Sequence, residues 1–315
     1  MAAPGVPVDF TSRAPVAVTL PVSWVSPSAT PEPPIRVQWS DPHTVVLRQA
    51  FALNYEAPFL YLLFGNDRAL LLDTGATADP VGCPLRATVD GLVEEWLARH
   101  PRERYPLVVA HSHGHGDHVA GDAQFADRPD TVVVGADLAT VTSFFGTAGA
   151  PDDGDGLRAS IPFDLGGRTL EILATPGHHR AAITVFDPWT GWLLTGDTVY
   201  PGRLYVDDMP AFRASLDTLV AFAAHREVTQ VMGCHIEMSR TPGRDHPLGS
   251  TRHAEEPPLQ LPVSVLTAVR NAAQEVADAP GLHRFDRFVI VHGSGRSVRA
   301  RLKARAWLAR ARLAR

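Results

Sequence analysis

At 315 residues, with 45% hydrophobic and 20% charged residues, the chain has ordinary globular composition and enough length to bury a full core, which excludes collagen-like, coiled-coil and disulfide-scaffold classes. The net charge of −5 is unevenly placed: Arg296–Arg315 carries seven Arg, Lys303 and no acid, and removing this +8 leaves −13 on residues 1–295, a body that repels polyanions. No apolar run approaches the ~20 residues of a membrane span; Met1–Val25 lacks a basic start and is broken by Pro4, Pro7, Pro15 and Pro21, so no secretory signal is expected, and two cysteines, Cys83 and Cys234, suit a reducing compartment such as the cytoplasm.

Residues 1–40 are Pro-rich and weakly periodic, and read as an extended N-terminal arm ahead of a domain over residues 41–295. Strand patterns begin at Thr44–Arg48, followed by Phe59–Phe64 and Ala69–Leu72, which are joined by the turn residues Gly65-Asn66-Asp67. Leu85–His100 predicts a helix from the spacing of Leu85, Val89, Leu92, Val93, Trp96 and Leu97. Leu107–Ala110 reads as a buried strand, Thr131–Val134 as another, and Ala136–Phe145 as a helix leading into the Gly/Asp-rich loop Gly146–Gly156. Strands are then expected at Arg168–Ala174, Ala182–Phe186, Trp192–Leu194, Thr229–Met232 and Arg287–Val291, with helices at Ala211–His225 and Pro262–Ala279. Val298–Arg315 predicts a basic C-terminal helix with an apolar stripe. There is no tandem repeat, and the alternation of element types predicts a layered α/β fold.

Four of the 14 histidines fall at His111, His113, His115 and His118. The run His113-Gly-His115-Gly-Asp117-His118 follows a predicted buried strand and offers imidazole and carboxylate, the ligand types that suit zinc. His113 and His115 can both turn toward one ion, while Asp117 and His118 lie where the chain turns into a helix and can face a second. Three further candidates each end a predicted strand, where α/β sheets collect site residues: His178, Asp197 and His235. Asp73-Thr74-Gly75 ends an earlier strand.

This set, in order and spacing, resembles the metallo-β-lactamase-fold superfamily over about residues 44–240. The resemblance implies a four-layer αβ/βα sandwich with a dinuclear site at one edge of two facing sheets. His113, His115 and His178 would hold one ion, Asp117, His118 and His235 the other, and Asp197 would bridge them. The implied cofactor is two Zn²⁺, with iron or manganese also accepted by N/O ligands. Asp73 would orient the ligand loop from outside. The implied chemistry is hydrolysis by a metal-bridging hydroxide, formed at a pKa of about 7 or below, with Asp117 steering the hydroxide and carrying its proton.

Around this set, His179 is a packing or substrate-contact residue, His111 an outer residue, and Cys234 a buried thiol. Tyr200 and Tyr205 are candidates to donate to an oxyanion, Phe144 and Phe145 to form an apolar lid, and Asn54-Tyr55-Glu56 to approach the site from the early hairpin. The leading expectation is a dinuclear zinc hydrolase of a small ester, lactone or thioester. The alternatives are a β-lactam hydrolase and a nucleic-acid-processing nuclease. The first usually acts outside the cytoplasm. The second needs a basic groove, whereas Ser112–Phe125 contains no Lys or Arg and only Arg180 and Arg203 lie close to the ligands in sequence. A small-molecule partner is therefore expected rather than nucleic acid; nothing in the sequence bears on oligomeric state.

Overall fold

The computed structural model describes residues 5–12, 15–17, 20, 24, 32–147 and 160–293. Most of the expected Gly/Asp-rich loop and the expected basic C-terminal helix lie outside the described residues.

The first sheet holds β1 (Ile35–Asp41), β2 (Thr44–Gln49), β3 (Phe59–Phe64), β4 (Ala69–Leu72), β5 (Leu107–Ala110) and β6 (Thr131–Val133) in chain order. Pairing is antiparallel from β1 to β4 and parallel from β4 to β6. The crossover from β4 to β5 carries helix α1 (Leu85–Arg99). After β5 comes the short helix α2 (Gly116–Val119), and after β6 comes α3 (Leu138–Phe145), capped by the Asp137 carboxylate accepting from Thr140 N.

The second sheet contains β7 (Ile161–Asp164), β8 (Thr169–Ala174), β9 (Ile183–Asp187), β10 (Trp192–Gly196), β12 (Gln230–Gly233) and β13 (Gln260–Leu261), hydrogen-bonded in the order β13-β12-β10-β9-β8-β7. Helix α4 (Met209–Ala224) precedes β12, and α5 (Ser264–Glu275) follows β13. A three-stranded sheet, β11-β15-β14, joins β11 (Arg203–Val206), β14 (Gly281–Arg284) and β15 (Val289–His292).

The layering follows from side-chain alternation. In β3, Phe59, Tyr61 and Leu63 point into the core between the two large sheets, against Ile172, Ile183, Val185 and Trp192. Their neighbours Leu60, Leu62 and Phe64 point the other way, under Leu85, Val89, Val93 and Trp96 of α1. A strand buried on both faces must be apolar throughout, and Phe59–Phe64 is. On the far side, Leu173, Phe186, Leu193 and Val231 pack beneath Phe212, Leu216 and Leu219 of α4 and Val265, Leu266 and Val269 of α5. The order helix, sheet, sheet, helix is the expected four-layer αβ/βα sandwich.

Two backbone hydrogen bonds tie the sheets together at the edge where β5, β8, β10 and β12 end: Ile183 N to Ser112 O at 2.8 Å and Phe59 N to Cys234 O at 2.8 Å. The Tyr61 hydroxyl adds a third, donating to Gly233 O at 2.6 Å.

The arm expected over residues 1–40 ends earlier, because Ile35–Asp41 forms β1 against β2. This edge strand is mostly half-buried and carries Arg36, Gln38, Ser40 and Asp41, so it shows no apolar run. β7, β11, β13 and β14 are likewise additional to the expected strands. The helix expected from Pro262 to Ala279 runs as α from Ser264 to Glu275 only.

Candidate metal centre

Each of the seven residues singled out as ligands lies just beyond a strand end on the same edge of the sandwich. His113 and His115 follow β5, and Asp117 and His118 lie in α2. His178 follows β8, Asp197 follows β10 and His235 follows β12. Two glycines allow the close approaches that this requires. Gly177 has φ +140°, and a Cβ there would fall 2.4 Å from the Phe212 Cα. Gly196 has φ +52°, and a Cβ there would fall 2.7 Å from the Ser112 Cβ. By contrast, Gly116, between His115 and Asp117, has no positive φ and a Cβ there would meet open space, so no such need exists there.

The seven residues form two adjoining groups whose ligand atoms converge: His113, His115 and His178, and Asp117, His118, Asp197 and His235. In the first group the His178 Nε2 lies 3.1 Å from the His113 Nε2 and 2.9 Å from the His115 Nδ1, and His113 and His115 approach to 3.0 Å. Three nitrogens held tetrahedrally around one zinc ion sit ~3.3 Å apart, so the spacing suits a shared cation. Asp197 lies between the groups. Its Oδ2 is 3.6 Å from the His178 Nε2, 3.7 Å from the His118 Nε2 and 4.0 Å from the His113 Nε2. Its Oδ1 is 3.4 Å from the His235 Nε2 and is buried with no hydrogen-bond partner. An orphaned oxygen on a carboxylate that faces four imidazoles fits a cation-binding cleft. The residues present therefore fit two metal ions.

The far side of four of the five rings is tied down. His178 Nδ1 faces Tyr205 O at 2.8 Å, His235 Nδ1 faces Glu56 O at 2.9 Å, and His113 Nδ1 faces the Ser112 Oγ at 3.2 Å. His118 Nδ1 faces the Asp73 Oδ2 at 2.9 Å. Asp73, fully buried at φ +71°, also accepts from Ser112 N at 2.7 Å and the Ser112 Oγ at 2.8 Å, and the Cys234 thiol lies 3.3 Å from its Oδ2. These outer contacts fix ring orientation and tautomer, as second partners of metal-binding histidines do. His111 is an outer residue too, with Nδ1 3.2 Å from His118 O and Nε2 3.2 Å from the Asp122 Oδ2.

The electrostatics split the two groups. Burial and the neighbouring imidazoles push His113 well below its ordinary value, and burial brings His115 down to about 4. In the second group burial acts the same way on the imidazoles but loses to the carboxylates. Asp73 and Asp197 hold His118 well above its ordinary value, and Asp197 and Asp117 hold His235 at about 10. Burial alone would raise both acids, yet the hydrogen bond from His235 and the charges of His118 and His235 hold Asp117 at about 2, and His235 and His118 keep Asp197 well below the carboxylate range. In the first group His113 and His115 thus present neutral bases, and the second presents two carboxylates that draw positive charge.

A cavity of about 350 Å³ opens onto both groups through His115, Asp117, His178, Asp197 and His235. Its other walls are Tyr55, Glu56, Tyr200, Tyr205, Glu237 and Leu248. Tyr55 and Glu56 thus arrive from the early hairpin as expected, and Tyr205 lines the cavity. Tyr200 lines it too, but its hydroxyl is bound to Arg203 O and lies 3.2 Å from the Glu237 Oε2, so it is not placed as a donor to an oxyanion. Phe144 and Phe145 do not line the cavity. Phe145 is buried in the core with Val134 and Val141, and both rings pack on Phe163, because the last turn of α3 faces β7. His179 stands beside the first group, its ring centroid 5.1 Å from His115 and 5.8 Å from His113.

Glu237 and Leu248 are the wall residues not foreseen. An acid two residues beyond His235 was a usable signal for the first. Leu248 sits in an irregular segment, where nothing local marks it.

The family model described as the metallo-β-lactamase superfamily matches residues 56–235, more than half of the chain. Acyl-coenzyme A thioesterase MBLAC2 of Homo sapiens is 27% identical over 179 residues, covering 50% of this chain and 63% of that protein. Hydroxyacylglutathione hydrolase of Synechococcus sp. (strain JA-3-3Ab) is 30% identical over 167 residues, covering 51% and 58%. The chain thus spans about three-fifths of the length of these curated relatives. Among solved structures, TMB-1 aligns with a TM-score of 0.51 at 13% identity, covering 78% of this chain and 100% of that one. DIM-1 metallo-β-lactamase exposed to ceftazidime aligns at 0.50 and 13%, covering 78% and 98%. These structural likenesses bear on the fold alone.

Proposed function

The chain belongs to the metallo-β-lactamase superfamily, and on that premise we propose that it is a dinuclear zinc-dependent hydrolase of a small ester, lactone or thioester. The observation that carries this reading is Asp197, whose two oxygens face imidazoles of both groups. His113, His115 and His178 hold one ion, Asp117, His118 and His235 the other, and Asp197 both. When bound, two such ions supply an activated water at neutral pH and a Lewis acid for a carbonyl oxygen. The chain's own residues do the rest. Asp117 is the more exposed of the two ligand carboxylates and faces the cavity, which suits it to orient water and take its proton. Tyr205 fixes the His178 ring through its carbonyl while its side chain walls the cavity.

Thioester names among the relatives support the bond type. The cavity supports a small-molecule substrate over a nucleic acid, since among the described residues no Lys or Arg lines it. Among the described residues no helix is long and apolar enough to cross a membrane. Two free buried cysteines suit a cytoplasmic location.

Purified protein is expected to carry close to two zinc ions per chain. Chelation should abolish thioester and ester hydrolysis, and zinc should restore it. Metal-free protein with full activity in chelator would overturn the reading.

The same assignment makes a proton prediction. Without metal, His118 and His235 are protonated at pH 7, so loading zinc into weakly buffered metal-free protein should release about two protons per chain from these rings and up to about one more from the activated water, measurable with an indicator dye. The metal-free protein should also be most stable near pH 6.5. Above that value the stabilisation from the raised His118 and His235 fades, for His235 as pH climbs toward about 10. Below it, the unfolded chain gains protons that the lowered His113 and His115 refuse, His115 until about pH 4. Melting temperatures that rise steadily from pH 5 to 9 would contradict this.

A further inference from the structure

The cavity wall beside His235 contains one carboxylate that neither ligand group uses and that, among the described residues, no Lys or Arg neutralises. Glu237 also lines the cavity, but its charge is committed: Oε1 accepts from the Arg203 Nη2 at 2.7 Å and Oε2 from Arg203 N at 2.6 Å. Glu56 differs. Among the described residues no Lys or Arg side chain lies within ion-pair distance of it. Its side-chain contact is the Tyr55 hydroxyl, which uses one of the several acceptor positions a carboxylate has. Its backbone is fixed twice, by Glu56 N donating to the Asn54 Oδ1 at 3.0 Å and by its carbonyl facing His235 Nδ1 at 2.9 Å. The backbone of Glu56 is therefore held at a set position relative to the ligand groups. Taking an unpaired carboxylate out of water is costly unless a partner arrives. Tyr55 and Tyr205 stand near it, Tyr200 lines the same cavity, and the nearby imidazole, His235, belongs to the ligand groups. Aromatic faces together with an anion attract organic ammonium groups, including quaternary ones that cannot donate a hydrogen bond.

Building on the hydrolase reading above, we infer that Glu56, with the tyrosines around it, is a specificity-determining residue that selects esters or thioesters carrying an ammonium group and disfavours polyanionic ones such as coenzyme A thioesters. The ligand groups take the carbonyl end of the substrate, and Glu56 takes the cationic end.

The test compares three thioesters on the zinc-loaded full chain. They are acetylthiocholine, its uncharged isostere with tert-butyl in place of trimethylammonium, and acetyl-coenzyme A. The expected order of kcat/KM is cationic, neutral, polyanionic. In Glu56→Gln the ratio of cationic to neutral kcat/KM should fall about 10- to 100-fold, the worth of one interaction with a charged group, and in Glu56→Lys it should fall further. Zinc content and melting temperature report whether each variant folds; if neither does, the native protein's own ratio decides, about tenfold or more supporting the inference and a smaller one overturning it. Equal kcat/KM for the first two substrates in the native protein, or a ratio unchanged in a folded Glu56→Gln, overturns the inference and leaves the hydrolase reading standing. No turnover of these or of a simple aryl ester overturns that reading, and the inference with it.

Discussion

Replacing Asp197 with alanine is expected to lower kcat for a thioester by about 1000-fold or more and to reduce bound zinc from near two ions per chain to one or fewer. The size follows from the proposed bridge. A group that compensates charge on both ions, and keeps them at one spacing, governs several kcal/mol of transition-state stabilisation, and each 1.36 kcal/mol is about tenfold in rate. Without the carboxylate, His118 and His235 also lose the anion that most favours positive charge in their group. Asp197→Asn keeps the shape and removes the charge, so it should lose metal nearly as fully while preserving the fold, which separates a ligand role from a packing one. His111→Ala is the contrast. His111 touches the His118 carbonyl and Asp122, and its loss should cost less than about tenfold, the lower end for an outer partner. Zinc analysis and steady-state kinetics on the three variants check this; equal losses at Asp197 and His111 would mean that the ligand set is misassigned.

What could be read in advance, and what could not, divides along physical lines. Phe59–Phe64 and Leu107–Ala110 were legible because strands buried on both faces leave uninterrupted apolar runs. The seven converging residues were legible because His and Asp are rarely gathered just after such runs, and strand ends on one edge bring them together. β1 was not, because an edge strand with one half-exposed face carries Arg36, Gln38 and Ser40 and resembles a loop. β14, Gly281–Arg284, hides in the same way, with Gly, His and Arg in a four-residue strand. Phe144, Phe145 and the Tyr200 hydroxyl are turned from the expected roles for a tertiary reason. Whether Phe145 faces the site or the core depends on how α3 rolls against β7, and whether the Tyr200 hydroxyl is available depends on a turn that brings Arg203 O to it and on Glu237, far along the chain. Glu56 was legible as a residue near the site. That no Lys or Arg pairs with it, among the described residues, could be known only once Arg203 was seen to neutralise Glu237 instead.

The largest expected loss of stability comes from the opposite end of β8 from His178. Arg168 uses all five of its N–H donors there. Nε and Nη2 donate to the two oxygens of Asp187 at 3.0 and 2.6 Å, Nη2 also to the Thr44 Oγ1 at 2.8 Å, and Nη1 to His43 O and Phe64 O at 2.7 and 3.0 Å. The acceptors belong to both large sheets, so one guanidinium pins β2 and β3 of the first to β9 of the second. Asp187 is itself held by the Thr190 hydroxyl at 2.6 Å and by Trp189 N at 3.2 Å. A pair this deeply buried gains little over an apolar substitute, but breaking it strands a charge. Arg168→Met should leave the buried Asp187 carboxylate without its cation and take one donor each from His43 O and Phe64 O, and Asp187→Ala should leave a guanidinium without its anion; each should cost about 3–5 kcal/mol. The double variant Arg168→Met/Asp187→Leu removes both charges and should cost distinctly less than the two single losses added together. Zinc bound per folded chain should stay unchanged in all three, because no ligand residue touches this cluster. Denaturant unfolding of the four proteins measures the coupling. Single losses below about 1 kcal/mol, within the range of a surface pair, would show that the two sheets are held by apolar packing alone.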